Sequence, residues 1–206
     1  MKKITFCIIL MIPSIIFSQK TKPLFNGEDL NNWEFVLADD SKTPEEVFYI
    51  ADGVMNIAGS PNGYARTSEK FKNFELTLEW RWVDKPANSG VLLNITGEDK
   101  VWPDCIEAQL QHGNAGDLVL IGIKPQTNES LHGNNRVVII SKQNDTSEKA
   151  PGEWNKYRIV LNNEKLEYYV NDVFQNSAEL VYPEGFIGLQ SEGGHIQFRN
   201  VLITEF

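Results

Sequence analysis

Cysteine and histidine are scarce in this chain: among its 206 residues there are two cysteines, Cys7 and Cys105, and three histidines, His112, His132 and His195. Cys7 lies in an apolar leader, so once that leader is removed Cys105 stands alone and no intramolecular disulfide can form. The histidines are isolated, and none falls in a paired spacing such as H-E-x-x-H, which excludes a dedicated zinc centre on sequence grounds. Basic residues are also short, at 19 lysines and arginines against 28 acidic residues. Phosphate backbones need a basic stripe, so nucleic acid is excluded as a partner. There is no G-x-S-x-G elbow and no phosphate-cradling glycine loop, which removes serine-hydrolase and nucleotide chemistries.

Long hydrophobic runs are missing as well, with one short exception at the start. Met1-Lys2-Lys3 opens the chain, an apolar run follows from Ile4 to Phe17, and Ser18-Gln19-Lys20 closes it. A basic start, a greasy middle and a small residue at the exit describe a secretory signal peptide over residues 1–18. The run is about 14 residues, too short for a bilayer that needs roughly 20. Cys7 sits inside it rather than at its end, so no lipid-modified cysteine is expected at the cleavage point. The expectation is a periplasmic or secreted protein with no membrane span after cleavage. Loss of Lys2 and Lys3 leaves 17 basic against 28 acidic residues in one domain over 19–206.

What is abundant is period-2 alternation. No segment after residue 20 sustains a helical period, whereas apolar and polar residues alternate repeatedly between turn residues, which predicts an all-β, antiparallel protein. In Glu75-Leu76-Thr77-Leu78-Glu79-Trp80-Arg81-Trp82 the leucines and tryptophans share one side, and Glu79 and Arg81 share the other. The stretch 105–111 opposes Ile106, Ala108 and Leu110 to Glu107, Gln109 and Gln111, while Ile187 and Leu189 oppose Gln190 and Glu192. Further strand candidates are 47–50, 53–58, 90–95, 117–121, 136–141, 154–162, 165–170 and 195–205. Ten or more short strands favour a sandwich of two sheets. Asn162-Asn163 and Asn171-Asp172 mark tight turns, 142–153 reads as a long polar loop, and Pro44-Glu45-Glu46-Val47 hints at a helical turn.

Three polar faces carry the candidate chemistry: Glu79 with Arg81, Glu107 with Gln109, and Gln190 with Glu192. If their strands adjoin in one sheet, carboxylates, an arginine and amides line a surface suited to sugar hydroxyls. Trp102, just before the Glu107 strand, offers an indole to stack on a sugar ring. The same alternation also fits plain solvent-facing residues with cross-strand ion pairs. Residues 114–117 hold oxygen ligands without the ordered spacing of a calcium loop. His112-Gly113-Asn114 and His132-Gly133-Asn134 read first as turns. Cys105 alternates onto the side of Glu107 and reads as a packing thiol. Sequons at Asn94, Asn128 and Asn144 matter only in a eukaryotic secretory pathway.

From Leu24 to Phe206 the chain resembles the 3-keto-disaccharide hydrolase family. The resemblance rests on Leu24-Phe25-Asn26-Gly27, Glu79-Trp80-Arg81-Trp82, Asn88-Ser89-Gly90-Val91, Trp102-Pro103-Asp104-Cys105-Ile106-Glu107-Ala108-Gln109-Leu110, Gly116-Asp117, Gly152-Glu153-Trp154-Asn155, Ile187-Gly188-Leu189-Gln190-Ser191-Glu192-Gly193-Gly194 and Phe198-Arg199-Asn200. Many members carry histidine where this chain has Glu192, which removes a histidine role there. The resemblance implies a concanavalin A-like jelly-roll sandwich and cleavage of glycosides whose sugar is a ketone at carbon 3. A ketone at C3 acidifies the C2 hydrogen, so a carboxylate can remove it, the C1 substituent can leave, and water can add back. That chemistry asks for a base, a cation or metal beside the enolate, and an acid.

On this resemblance the expected catalytic residues are Glu107 as base or ligand of an activating cation, Arg81 as enolate stabiliser, Glu192 as acid or second base, and Asp117 as a partner. The expected substrate contacts are Gln109, Trp102, Gln190, Glu79, Asn88 and His112, with Glu79 also holding Arg81. No cofactor is fixed by the sequence; a divalent cation is the one the chemistry admits, and its ligands are left open. The alternative function is a non-catalytic lectin-like module, since the same sandwich serves lectins. A laminarinase-type endoglucanase lacks its E-x-D-x-x-E strand here.

Overall fold

The computed structural model describes residues 20–123 and 136–206. The leader at 1–18, Cys7, the sequon at Asn128 and the His132-Gly133-Asn134 turn lie outside them. In chain order the described residues form β1 (Thr21–Pro23), β2 (Trp33–Leu37), α1 (Pro44–Val47), β3 (Phe48–Ala51), β4 (Val54–Ile57), β5 (Gly63–Thr67), β6 (Phe74–Trp82) and β7 (Gly90–Thr96). There follow β8 (Asp104–Gln109), β9 (Leu118–Ile121), β10 (Val137–Ile140), β11 (Asn155–Asn162), β12 (Lys165–Val170), β13 (Val173–Glu179), β14 (Phe186–Ser191) and β15 (Ile196–Glu205).

Two antiparallel sheets result, and they make the jelly-roll sandwich the sequence predicts. The back sheet runs β13-β12-β11-β6-β15-β4-β3, with β1 paired to β15; the front sheet runs β10-β9-β8-β7-β14-β5-β2. Alternation in β6 buries Leu76, Leu78, Trp80 and Trp82 between the sheets. Trp80 lies 5.5 Å from Tyr157, and Tyr157 lies 5.7 Å edge-on from Tyr168, ring centre to ring centre. Val91 and Leu93, Ile106 and Ala108, Leu118 and Leu120, and Ile187 and Leu189 meet them from the front sheet.

The front sheet differs from the back one in being buried on both faces. Tyr64, Leu92, Ile95, Cys105, Val119 and Ile121 form a second buried apolar cluster on its outer side, with Val36, Val137 and Phe186 packed against it. That is why Leu118-Val119-Leu120-Ile121 is an unbroken apolar run rather than an alternating one.

Turn chemistry follows the sequence closely. Asn163 and Glu164 (φ 47° and 71°) link β11 to β12, one residue beyond the predicted pair, and Asn171 and Asp172 (φ 48° and 65°) link β12 to β13. Positive φ at both central residues gives the twist that suits a two-residue hairpin. The helical turn at Pro44–Val47 begins where the Thr43 N–H donates to the Glu46 carboxylate at 2.7 Å.

A bulge in β13 ties the sheets together at one end. The register slips between Tyr168 and Tyr169, so Gln175 and Asn176 are both fully buried. Gly116 admits them: a Cβ there would stand 2.5 Å from Cβ of Gln175, and its φ of +102° is one that glycine adopts freely. The Asn176 amide nitrogen donates to the carbonyls of Ile140 (2.9 Å) and of Ser141 and Gly116 (3.3 Å each). Replacing Asn176 by alanine removes the amide donor that these carbonyls share. It should lower stability by about 1–3 kcal/mol, read as a lower urea midpoint with an unchanged slope.

Candidate active site

Strand β8 sets Glu107 and Gln109 on the outer side of the front sheet, the side of Cys105. Pairing places Glu107 in a row with Val119, Leu92, Gly188, Arg66 and Glu34. In the next row Gln109 pairs with Gly90. The register that sets Val91 opposite Leu189 brings Gln190 to the other flank of Gly90, and the Ser89 hydroxyl donates to the Gln190 carbonyl at 2.9 Å. One row further, Asn88 bridges to Glu192. Three adjacent strands therefore gather Glu107, Gln109, Asn88, Gln190 and Glu192 around a glycine.

That glycine seats the central carboxyl. A Cβ at Gly90 would overlap the Glu107 carboxyl oxygen and lie 2.7 Å from its Cγ. Glu107 is only 4 % exposed, and its Oε1 has no hydrogen-bond partner among the described residues. Burial, and then the charge of Glu192, push its pKa up to about 8. Burial also raises Glu192, against a hydrogen bond from Asn88 that pulls the other way. Gln109 is 9 % exposed, and its Oε1 accepts the Leu110 and Gln111 N–H groups at 2.9 and 2.8 Å. With its carbonyl pinned on both lone pairs, the amide offers its N–H donors beside Glu107. Burial seals the Cys105 thiol and raises its pKa, so it packs as an inert group.

Arg81 and Glu79 do not join this group. Their strand belongs to the back sheet, and they face outward from it, across the apolar core from Glu107. Arg81 donates to Gln197 at 2.7 Å, Glu79 pairs with Arg199, and both arginines lie over Trp154 at 4.6 and 4.0 Å. The expectation of one shared surface is corrected accordingly: alternation reports which side of a strand a residue faces, not which sheet the strand joins. Trp102 belongs to the front sheet's border but at the far end of β8 from Gln109, where its carbonyl accepts from Arg136 at 2.8 Å. His112 lies in the turn beyond β8, where its backbone N–H donates to the Ala87 carbonyl at 3.1 Å and its Nδ1 stands 3.5 Å from Glu148. Asp117 accepts the Lys142 N–H at 2.8 Å, a staple at the start of β9.

The arginine that the front sheet does carry is Arg66, missed from sequence because 63–67 was not read as a strand. Its signal is the alternation of Tyr64 and Arg66 about Ala65. The guanidinium is engaged by Asp99 through two 3.1 Å hydrogen bonds and by Glu34 at 2.5 Å, and it stacks on Phe186 at 4.0 Å. Beside it, burial and the charge of Asp99 push Tyr64 up to about 12. Glu148, which comes from the polar loop after β10, carried no sequence signal.

Several solved structures share this architecture. A Parabacteroides distasonis protein assigned as a glycosyl hydrolase superimposes with a TM-score of 0.66 at 24% identity, over 91% of this chain and 100% of its own. A Bacillus licheniformis β-glucanase superimposes at 0.61 and 13% identity, over 91% and 98% of the two chains. These likenesses establish the fold. A 3-keto-disaccharide hydrolase of Bacteroides thetaiotaomicron is 29% identical over 231 aligned residues, spanning 87% of this chain and 76% of that protein. The profile of the 3-keto-α-glucoside-1,2-lyase-like domain matches residues 20–204, nearly every described residue, and by that match the chain belongs to this family.

Proposed function

We propose that this protein is an exported glycosidase-type enzyme that cleaves glycosides bearing a ketone at C3 of the sugar, with Glu107 as the base that takes the C2 proton. The observation that carries this reading is the Glu107 carboxyl itself, buried, unpartnered and raised to about 8, beside a second carboxyl. A carboxylate with that affinity for protons is matched to an acidified C–H bond at near-neutral pH. The leader at residues 1–18 supports action in the periplasm or outside the cell.

Glu107 removes the hydrogen at C2, and the electron pair is held on the C3 oxygen as an enolate. Collapse of the enolate forms the C1=C2 double bond and breaks the C1–O bond, while Glu192 gives its proton to the departing oxygen. Water then adds at C1, losing a proton to Glu192, and C2 recovers its hydrogen from Glu107. Gln109, its carbonyl pinned, keeps its N–H groups directed at substrate oxygen. Each carboxyl thus reverses its own role between elimination and hydration.

Glu107→Gln should lower turnover of a 3-keto-disaccharide by about 10²–10⁴-fold, with products followed by mass spectrometry. Accumulation of a C1=C2 unsaturated sugar in the wild type would mark a reaction that stops at elimination. Intact disaccharide after long incubation would instead mark a binding module, and near-normal turnover by the variant would remove Glu107 from the mechanism.

The same carboxyl makes a prediction for stability. The folded pKa, about 8, lies above the unfolded value near 4.5, so between these the native state holds a proton that the unfolded chain has released. Stability therefore falls as pH rises through that window and levels off above it. Glu107→Gln abolishes the loss, which is on the order of a few kcal/mol. In EDTA, the Tm advantage of Glu107→Gln over wild type should widen from pH 5 to pH 8; a constant difference would show an ordinary carboxyl.

A further inference from the structure

The outer face of the front sheet gathers buried oxygens around Gly90 that lack a hydrogen-bond partner among the described residues. Among the described residues, Glu107 Oε1, Gln190 Oε1 and Asn88 Oδ1 are all buried without a hydrogen-bond partner. They come from β8, from β14 and from the residue two before Gly90. Glu107 and Gln190 flank Gly90, which interposes no side chain between them, and Gln190 is 2 % exposed. Asn88 turns its amide nitrogen to Glu192, which leaves its oxygen free. The amide oxygens of Asn88 and Gln190 accept and cannot donate, and unmade acceptors of this kind are costly to bury.

Among the described residues, no side-chain cation is hydrogen-bonded to them. Arg66 is spent on Asp99 and Glu34, and Arg81 lies across the core. The charge acting on Glu107 from its neighbours is that of another carboxylate, Glu192. We infer that Glu107, Glu192, Asn88 and Gln190 form the seat of one hard divalent cation.

The donor set decides the class of ion. Among the described residues, no three histidine, cysteine, aspartate or glutamate side chains come together; this seat has two carboxylates and two amide oxygens. Oxygen-only ligation of that kind suits calcium, magnesium or manganese and gives zinc no preference. The inference deepens the function proposed above and rests on it for the ion's chemical role, which is to polarise a bound ketone as a Lewis acid. With one oxygen of Glu107 toward the ion, the other remains for the C2 proton.

The test uses the full chain stripped with EDTA and titrated separately with calcium, magnesium, manganese and zinc chlorides. A hard ion at millimolar concentration should raise Tm by about 5 °C, and zinc should do no better. At pH 7 calorimetry in buffers of different ionisation heat should show close to one proton released per ion, displaced from Glu107. Gln190→Leu should at least halve the Tm rise. Glu192→Gln, on a half-buried carboxyl, gives the same readout if Gln190→Leu does not fold. Absence of any ion-dependent Tm rise, or a rise that both variants keep in full, overturns the site. Turnover that persists in excess EDTA would sink the site and leave the function; ion binding with 3-keto-disaccharide left intact would sink the function and leave the site.

Discussion

A carboxyl group set into the face of a β-sheet, away from water and with no donor of its own, is the constraint around which the front sheet is built. An ionised carboxylate in that position would forfeit most of its hydration, so the group keeps its proton to a pH well above its ordinary value. Room for it exists because β7 carries glycine at residue 90, and any larger residue would collide with the carboxyl. The neighbours are amides and a second carboxyl rather than lysine or arginine.

The two outer surfaces of the sandwich obey different electrostatics. On the back sheet Glu75 pairs with Arg158 and Glu79 with Arg199, while Arg81 donates to the Gln197 amide oxygen. Such exposed pairs add little stability each and leave no group in search of a partner. On the front sheet the central polar atoms are buried and unmatched, inside an apolar surround of Tyr64, Leu92, Cys105 and Val119. Unsatisfied polar groups in a buried setting destabilise a fold, so their concentration on three neighbouring strands points to a ligand that completes them.

How far the sequence discloses this depends on the range of the information. Local alternation in 75–82 and 105–111 identifies strands, faces and the all-β class, because side-chain period is a property of a single strand. Sheet membership is set by pairing with distant chain, as when β6 pairs with β15, Trp80 opposite Phe198. Nothing in the Arg81 alternation distinguishes that outcome from a place beside β8, so Arg81 was read onto the wrong surface. Glu107, Gln109, Gln190 and Glu192 were legible because their two strands are separated only by β7, whose Asn88-Ser89-Gly90 start is itself distinctive. Gly63–Thr67 escaped because both its faces are buried, which erases the polar half of the alternation for all but Arg66. Glu148 escaped because a loop residue has no periodicity to betray its contact.

The distribution of donors and acceptors around Gly90 sets what the face can recognise. Gln109 directs N–H groups outward because two backbone amides hold its carbonyl, while Gln190 and Asn88 contribute oxygens and the two glutamates contribute more. An ordinary glucoside offers a hydroxyl at C3, which can satisfy a donor or an acceptor equally and gives such a face little to discriminate. A ketone at the same carbon accepts only, so it must meet the Gln109 donors or a cation, and it acidifies the adjoining C–H that a proton-hungry carboxylate can take. The acceptor-rich remainder suits the surrounding hydroxyls or an ion. On the function proposed above, selectivity for the oxidised sugar follows from the orientation of one amide and the affinity of one carboxyl for its proton, both carried by β8.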